Sequence, residues 1–424
     1  MMEKGRIKKE VFYLYLIQIS NMLLPLLTFP YLARVLGSEF FGKLSYAQSI
    51  SFIAIFIVDF GFNFSAARKI GVNIGNNKVI DKVYSNVQCA KTIIFLLVMI
   101  AGCIMDFFIT QSRIDSILFF FGLASSLSSV LTANWLFQGI GRNSTLAVFN
   151  LICRTGSLLF VFLLVSSADD IYWAAVIQLF PPVLAGLMIQ YLLRKRNLVR
   201  LNIRLVSMNR MKDEVKESFH NFSASAFTLG FTYLNPIVVK FLFGDSALGH
   251  YAVADRLAAV LRQLYNPIVQ GNFSPVCSLF KVEKFDAIRN RLLKIFFIFL
   301  GITSIAFLGN LIVGKFIITL IFGYGYDITG LLTIMIITQF IISMAIILVN
   351  LIIVPAGLSF YLKKGYFIGL VCHVSYLFFF TSFFGVHGVA MAVSVTELII
   401  TAIFACMIIR KKVLVNIHSV SIEK

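Results

Sequence analysis

The feature that most constrains this chain is a succession of twelve apolar stretches with few charges. A helix of about 20 apolar residues crosses the hydrocarbon core of a bilayer. The stretches occupy residues 11–36, 44–66, 83–108, 116–140, 144–166, 171–193, 219–243, 251–278, 292–313, 328–356, 365–384 and 388–410. Hydrophobic residues make up 59% of the chain and charged residues 13%, against about 45–50% and about 25% in soluble domains. The sequence therefore predicts an all-α integral membrane protein with about twelve transmembrane helices.

A spaced set of small residues near the start of the chain returns in its middle. Gly37, Gly42 and Ala47 recur 207 residues later as Gly244, Gly249 and Ala254. This shift is close to half of the 424 residues, and internal repeats are common in membrane transporters. The repeat predicts two homologous halves, each opening with the same helix hairpin and short glycine-bounded turn.

The positions of the cations predict the orientation and the domain boundaries. If the N-terminus is cytoplasmic, 28 of the 37 Lys and Arg residues lie on the cytoplasmic side and three in outside loops. This asymmetry satisfies the positive-inside rule, so both termini are expected in the cytoplasm and the net charge of +18 does not indicate nucleic-acid binding. The expected domains are a six-helix lobe at 1–193, a basic, solvated cytoplasmic linker at 194–218, and a six-helix lobe at 219–424.

The sequence shows no pattern of a metal site, a disulfide framework or a nucleotide-binding enzyme. The six cysteines are scattered through apolar segments without CxxC spacing, and the five histidines are far apart. No nucleotide-binding glycine loop or DxD motif is present. We therefore expect no cofactor, no metal and no catalytic residue.

Ten charged residues remain inside the predicted spans. A charge near the bilayer centre costs at least about 2.5–3.5 kcal/mol on insertion scales, so it usually faces a cavity or a partner. The ten residues are Arg34, Asp59, Lys91, Asp106, Arg154, Lys240, Asp255, Arg256, Arg262 and Glu397. Those near helix ends, such as Arg34 and Lys240, can instead extend to the interface. Asp59 or Glu397 can also form a structural ion pair between helices.

Arg154 and Arg262 combine depth with the lack of an acid at i±3 or i±4 on their own helices. Cations outnumber acids among the deep residues, so the buried sites are net basic. A net basic site predicts an anionic ligand, and a guanidinium matches the oxygens of a phosphate group in bidentate geometry.

Three segments of the sequence are distinctive: LTFPYLARVLGSEFFGKLSYAQS at 27–49, DFGFNFSAARKI at Asp59–Ile70, and NPIVVKFLFGDSALGHYAVADRL at 235–257. They resemble Wzx-type O-antigen flippases, which are polysaccharide transporters of the multidrug/oligosaccharidyl-lipid/polysaccharide exporter superfamily. The resemblance implies two six-helix lobes around a central cavity. It also implies translocation of undecaprenyl-diphosphate-linked oligosaccharide repeat units from the cytoplasmic to the periplasmic leaflet of a bacterial inner membrane.

On this interpretation the partners are the undecaprenyl-diphosphate-linked glycan, membrane lipids, and a polymerase and glycosyltransferases of the same pathway. The predicted substrate-binding residues are Arg34, Arg154, Lys240, Arg256 and Arg262. The predicted candidates for coupling to H⁺ or Na⁺ are Asp59, Asp255 and Glu397.

Two other classes of function stay open. A cation-coupled multidrug exporter of the same superfamily would have an acid-rich cavity, whereas the deep charges here are net basic. A membrane-embedded polysaccharide polymerase or glycosyltransferase would usually carry its site on a sizeable loop, and the outside loops of this chain are short.

Overall fold

The computed structural model describes residues 2–109, 112–411 and 413, with side chains from Leu27 onward except at 109, 143, 220, 221, 224, 228 and 232. All regular structure in these residues is helical. The chain forms two compact units, Met1–Ala226 and Phe227–Lys424. The predicted all-α membrane fold is confirmed.

Among the described residues, nine helices lie within the first unit, α10 crosses the boundary between the units in the sequence, and four more helices lie within the second unit. The first nine are α1 (Met2–Asp59), α2 (Phe62–Val72), α3 (Asn77–Ile109), α4 (Arg113–Ser125), α5 (Leu127–Thr132), α6 (Asn134–Gly139), α7 (Asn143–Leu164), α8 (Ile171–Leu179) and α9 (Pro181–Lys195). The others are α10 (Met208–Thr232), α11 (Asn235–Lys281), α12 (Phe285–Phe322), α13 (Thr329–Leu348) and α14 (Phe360–Arg410).

Some of these helices contain more than one membrane span. Among the described residues, nine helical segments are long and apolar enough to cross a membrane. Three of the nine contain a glycine with non-helical backbone angles, at Gly37 in α1, Gly244 in α11 and Gly385 in α14. Counting the two sides of each glycine separately gives twelve segments, which agrees with the number predicted from hydropathy.

The repeated glycines have nearly the same backbone conformation in both units. Gly37 has φ 69° and ψ 174°, and Gly244 has φ 85° and ψ 179°. This region is open almost only to glycine, because a Cβ atom strains the backbone there. A Cβ placed on either residue would meet no atom within 4 Å, so the requirement comes from the backbone itself. One glycine therefore makes the break where the sequence predicted a turn of several residues.

A second difference from the expected boundaries lies around Lys315. The sequence predicts that the ninth apolar stretch ends at residue 313, but α12 continues through Lys315 to Phe322. The helix ends at Gly323, which has φ 88° and ψ 179°. Lys315 is exposed on the helix, so its charge does not have to be buried.

A cluster of buried aromatic and aliphatic side chains holds α2, α3, α6 and α9 of the first unit together. Trp135 is fully buried at its centre, and the ring of Tyr84 lies 5.8 Å away. The Tyr84 hydroxyl donates a hydrogen bond to Oε1 of Gln190, at 3.1 Å. Because lipid is as apolar as these side chains, close packing and interhelical hydrogen bonds stabilise such contacts in a membrane.

The segment that follows α9 is held against the first unit by hydrogen bonds from its backbone. The amide of Arg200 donates to Asp81 Oδ1 at 2.8 Å, and the amide of Ser207 donates to Asn86 Oδ1 at 3.0 Å. Asp81 and Asn86 lie in the first turns of α3. Residues 200–207 therefore dock on the protein, which differs from the solvated linker that the sequence favoured.

Ion pairs extend this docking into α10. Lys69 lies 2.9 Å from Glu214 and 2.8 Å from Glu217, and Arg68 lies 2.8 Å from Glu217. Residues 208–218, which the sequence assigns to the linker, are the first part of the 25-residue helix α10. The ion pairs therefore attach the start of α10 to α2 within the first unit.

Candidate functional site

The second unit contains a polar cavity of about 90 Å³ on its membrane-spanning helices. Residues from α10, α11, α13 and α14 line it. They are Phe231, Asn235, Tyr251, Asp255, Arg262, Met335, Thr338, Gln339, Ile342, Ala390, Val393 and Glu397. A space of this size holds a few water molecules or a small ion, but not a sugar repeat unit.

Arg262 is the one cation among these lining residues. Asp255 precedes it by seven residues on α11, so the two share a helix face. The Arg262 guanidinium donates a hydrogen bond from Nε to Gln339 Oε1 at 3.1 Å, which ties α11 to α13. It also interacts electrostatically with the carboxylates of Asp255 and Glu397.

The lining of this cavity carries more carboxyl groups than cations. Asp255 and Glu397 contribute two carboxyl groups and Arg262 one guanidinium, and Asp255 also interacts electrostatically with its neighbour Arg256. The acids come from α11 and α14, so their convergence on Arg262 depends on the tertiary structure. The net basic character predicted for the deep residues as a set stays a prediction.

A buried hydrogen-bonded network lies next to the cavity and begins at Asn235. His373, only 1% exposed, bonds through Nε2 to Asn235 Oδ1 at 3.1 Å and through Nδ1 to Thr396 Oγ1 at 2.8 Å. The Asn235 amide donates to the Phe231 carbonyl at 2.8 Å, which orients its oxygen towards the imidazole. The network thereby joins α11 to both segments of α14 and fixes one wall of the cavity.

Asp59 has a different environment, inside the first unit. Its Oδ1 accepts hydrogen bonds from Lys91 Nζ at 2.8 Å and from Ser129 Oγ at 2.6 Å. Lys91 is 1% exposed and also donates to the Ser129 carbonyl at 2.6 Å. Asp59, a predicted coupling residue, is therefore part of an interhelical ion pair, the structural alternative that the sequence had left open.

The other predicted substrate-binding residues do not gather in the cavity of the second unit. Arg34 is exposed on α1, and Arg154 is partly buried on α7. Arg256 is partly buried next to Asp255 on α11. Lys240 forms an ion pair with Asp245 across the Gly244 break, at 2.5 Å, so its charge has a local counterion.

Two residues that the sequence reading passed over have clear structural roles here. Gln339 holds the Arg262 guanidinium, and His373 connects Asn235 to Thr396. Gln339 is one of two amide side chains in the apolar stretch 328–356, the other being Asn350, and this is the signal that could have found it. His373 is too far in sequence from the other histidines to suggest a metal site, and no other pattern in the sequence marks it.

The chain matches the family model described as "Polysaccharide biosynthesis protein" over residues 7–280. A protein of Shigella dysenteriae described as "Putative O-antigen transporter" is 27% identical over 402 residues, covering 93% of this chain and 98% of the relative. An Escherichia coli (strain K12) protein with the same description is 26% identical over 426 residues, covering 97% and 99%. These matches confirm the resemblance that the segments at 27–49, 59–70 and 235–257 carry.

Solved transporter structures share the fold. A multidrug resistance MATE family transporter of the MOP superfamily, in an inward-facing conformation, superposes with a TM-score of 0.71 at 14% identity, over 94% of this chain and 96% of its own. The lipid II flippase MurJ, in an inward closed conformation, gives 0.66 at 14% identity, over 94% and 87%. At this level of identity the likeness establishes the architecture.

Proposed function

The chain belongs to the polysaccharide biosynthesis protein family, and we propose that it is a flippase for undecaprenyl-diphosphate-linked oligosaccharide repeat units. As a multi-pass protein of the bacterial inner membrane, it would move these units from the cytoplasmic to the periplasmic leaflet by alternating access, without forming or breaking covalent bonds. The single observation that carries the proposal is the charged cavity around Arg262 in a membrane-spanning unit of an exporter fold.

A lipid-linked sugar has three parts with different requirements. Its polyprenyl tail is stable in lipid, its glycan needs hydrogen bonds, and its diphosphate carries negative charge that is costly to bring into a membrane. Cationic side chains at depth offset that cost. We infer that Arg34, Arg154, Arg256 and Lys240 contribute this charge.

The arrangement around Arg262 supports a specific link between an ion and the substrate. While Asp255 and Glu397 are ionised, Arg262 is balanced by carboxylates within its own cavity. Binding of H⁺ or Na⁺ to these carboxylates would leave the guanidinium charge uncompensated and able to attract the diphosphate. Asp255 and Glu397 are therefore proposed as the coupling residues, and Asp59 is not, because Lys91 and Ser129 already hold it.

The proposal is tested in proteoliposomes that contain the full-length protein and a fluorescent undecaprenyl-diphosphate-linked repeat unit. Arg262→Ala should abolish translocation at matched protein levels, Arg262→Lys should retain part of it, and Arg262→Glu should be no better than Ala. Arg289→Ala, at an exposed position near the start of α12, is the matched control and should behave as the wild type. Normal translocation by the Ala and Glu variants would refute a role for Arg262 in the transport cycle.

A second candidate function has one observation in its favour. The two carboxylates in the cavity are a feature expected of a cation-coupled multidrug exporter. A strain that lacks the protein should then become sensitive to cationic drugs while its surface polysaccharide stays normal. Loss of surface polysaccharide with unchanged drug sensitivity would decide for the flippase.

The orientation of the chain is part of the same proposal. With both termini and residues 196–207 in the cytoplasm, the cations of α2, α3 and the linker lie on the inner side, in accord with the positive-inside rule. A reporter enzyme fused in this segment should be active only in its cytoplasmic form. Activity of the periplasmic form would reverse the proposed direction of the helices.

A further inference from the structure

An apolar groove of about 350 Å³ lies in the first unit, between α3 and the start of α10. Its walls come from both helices, and two lysines of α10 border it. The lining residues are Ala90, Ile93, Ile94, Met211, Lys212, Val215, Lys216 and Phe219. The groove is separate from the charged cavity of the second unit and plays no part in the proposed transport mechanism.

The exposure pattern of α3 places this groove at the edge of the lipid-facing surface. From Ile93 onward the helix presents exposed apolar side chains as far as Phe108, including Leu96, Leu97 and Ile100. The first turns instead carry Lys78, Asp81 and Lys82. Ile93 therefore marks the level at which acyl chains give way to headgroups along this helix.

The two lysines border the groove from one face of α10. Lys212 and Lys216 are four residues apart, so they lie on the same face of α10 with Cβ atoms about 6 Å apart. Both are exposed. Asp213 is turned about 100° from Lys212 around the helix axis. Glu214 and Glu217, the acids nearest in sequence on the other faces of α10, are held by Lys69 and Arg68. The groove border is thus positively charged.

We propose that this groove binds an anionic phospholipid, with one acyl chain against Ile93 and Val215 and the phosphate between Lys212 and Lys216. Apolar walls at acyl-chain depth with paired ammonium groups at headgroup depth match both parts of such a lipid. The bound lipid would hold α10 against α3, on the side opposite the ion pairs with Lys69. Because α10 continues to Thr232, a lipid bound in the groove would stabilise the helix that joins the two units.

The test uses the full-length protein in nanodiscs of phosphatidylethanolamine, with photoactivatable phosphatidylglycerol as the probe. Cross-links mapped by mass spectrometry should fall on residues 90–94 and 211–219. Each basic residue at an anionic surface changes affinity about fivefold, so Lys212→Gln/Lys216→Gln should weaken labelling about twenty-five-fold. Lys281→Gln/Lys284→Gln, at two exposed positions in the second unit, is the matched control and should label as the wild type.

A second variant tests the apolar half of the site. Ile93→Trp keeps both lysines but fills the groove, and it should also prevent labelling at 211–219. Equal labelling by a phosphatidylethanolamine probe, or unchanged labelling in both groove variants, would overturn the proposal in favour of ordinary boundary lipid. Displacement of the probe by polyprenyl diphosphate at lower concentration than by phosphatidylglycerol would also overturn it, by assigning the groove to the lipid carrier. None of these results depends on whether the protein translocates glycans.

Discussion

The charged residues within the membrane-spanning helices have different surroundings in the two units. In the first unit Asp59 receives hydrogen bonds from Lys91 and Ser129, and the ion pair is neutral with its lysine almost completely buried. In the second unit Arg262 shares a cavity with two carboxyl groups from two different helices, Asp255 and Glu397. A matched ion pair resists any change in its protonation or ligands, whereas a cavity lined by two carboxyl groups and one guanidinium can take up an added cation. The first arrangement is suited to a scaffold and the second to coupling.

The two units nevertheless share the hairpin with which each repeat begins. Gly37 and Gly244 have nearly the same backbone conformation, with a positive φ and an extended ψ. The difference between the units therefore lies in the charged side chains that each carries on a common helical plan. Superposition of the six-helix halves themselves stays a prediction.

The largest expected effect is on stability and concerns the pair in the first unit. Lys91→Ala should destabilise the protein by about 3–5 kcal/mol, because it leaves a carboxylate without its buried partner. The double variant Asp59→Leu/Lys91→Met should regain most of this loss, since it removes both charges. Thermal unfolding in detergent measures both, with Lys281→Ala as the exposed control. A Lys91→Ala protein as stable as the wild type would remove the contrast between the units.

The shared glycine break should have the next largest effect. Gly37→Ala and Gly244→Ala should each cost about 1–3 kcal/mol, because alanine is strained in that backbone region. Space is not limiting at either position. Gly301→Ala, inside α12 and also with no neighbour within 4 Å of its Cβ position, is the matched control and should be neutral or slightly stabilising. Equal effects at all three positions would show that Gly37 and Gly244 have no special role.

Replacing one carboxylate by its amide in each unit compares the two environments directly. Asp59→Asn should be clearly destabilising, because it leaves Lys91 without its counterion. Glu397→Gln should change stability by about 1 kcal/mol or less, because it relieves one of two like charges in the cavity of the second unit. The effects on translocation should be reversed: Glu397→Gln should be affected more than Asp59→Asn. Translocation by Glu397→Gln should no longer depend on an ion gradient. Ion-dependent translocation by Glu397→Gln at the wild-type level would argue against coupling at this cavity.

The smallest expected effect concerns pH and the docked segment before α10. The hydrogen bond from Lys69 is the main influence that holds the pKa of Glu217 below its usual range. Ionised Glu217 therefore stabilises docking above the ordinary glutamate pKa, and this contribution is lost as the pH falls through the lower, folded-state pKa. Burial raises the pKa of Glu214, so its contribution has the opposite sign and is lost as the pH rises through the folded-state pKa. The net dependence on pH should be modest.

Hydrogen exchange of the backbone amides at 200–207, corrected for intrinsic rates, measures this docking. Glu217→Gln should exchange faster than the wild type at pH 7, by a few fold, and the difference should disappear well below pH 4. Glu283→Gln, at an exposed acid away from the docked segment, should leave the exchange unchanged. A Glu217→Gln protein that matches the wild type at pH 7 would show that the ion pairs do not hold the segment.

The amino-acid sequence is enough to predict the properties that depend only on position along the chain. The membrane class, the number of spans and the repeat of Gly37 at Gly244 follow from hydropathy and spacing. The depth of each charged residue also follows, because a helix rises by about 1.5 Å per residue. The segments at 27–49 and 59–70 were specific enough to indicate the family.

The tertiary structure alone decided which charges meet. Lys91 donates a hydrogen bond to Asp59, which lies 32 residues earlier in the chain. Glu397 interacts with Arg262 from another helix of the second unit. Sequence spacing predicts neighbours at three or four residues on one helix, but the partner across an interface depends on how the helices are rotated and packed. The set of charged residues that share the cavity could not be predicted for this reason, because it depends on how acids and cations are distributed between helices. The docking of 200–207 escaped prediction for the same reason, since its partners Asp81 and Asn86 lie more than a hundred residues earlier.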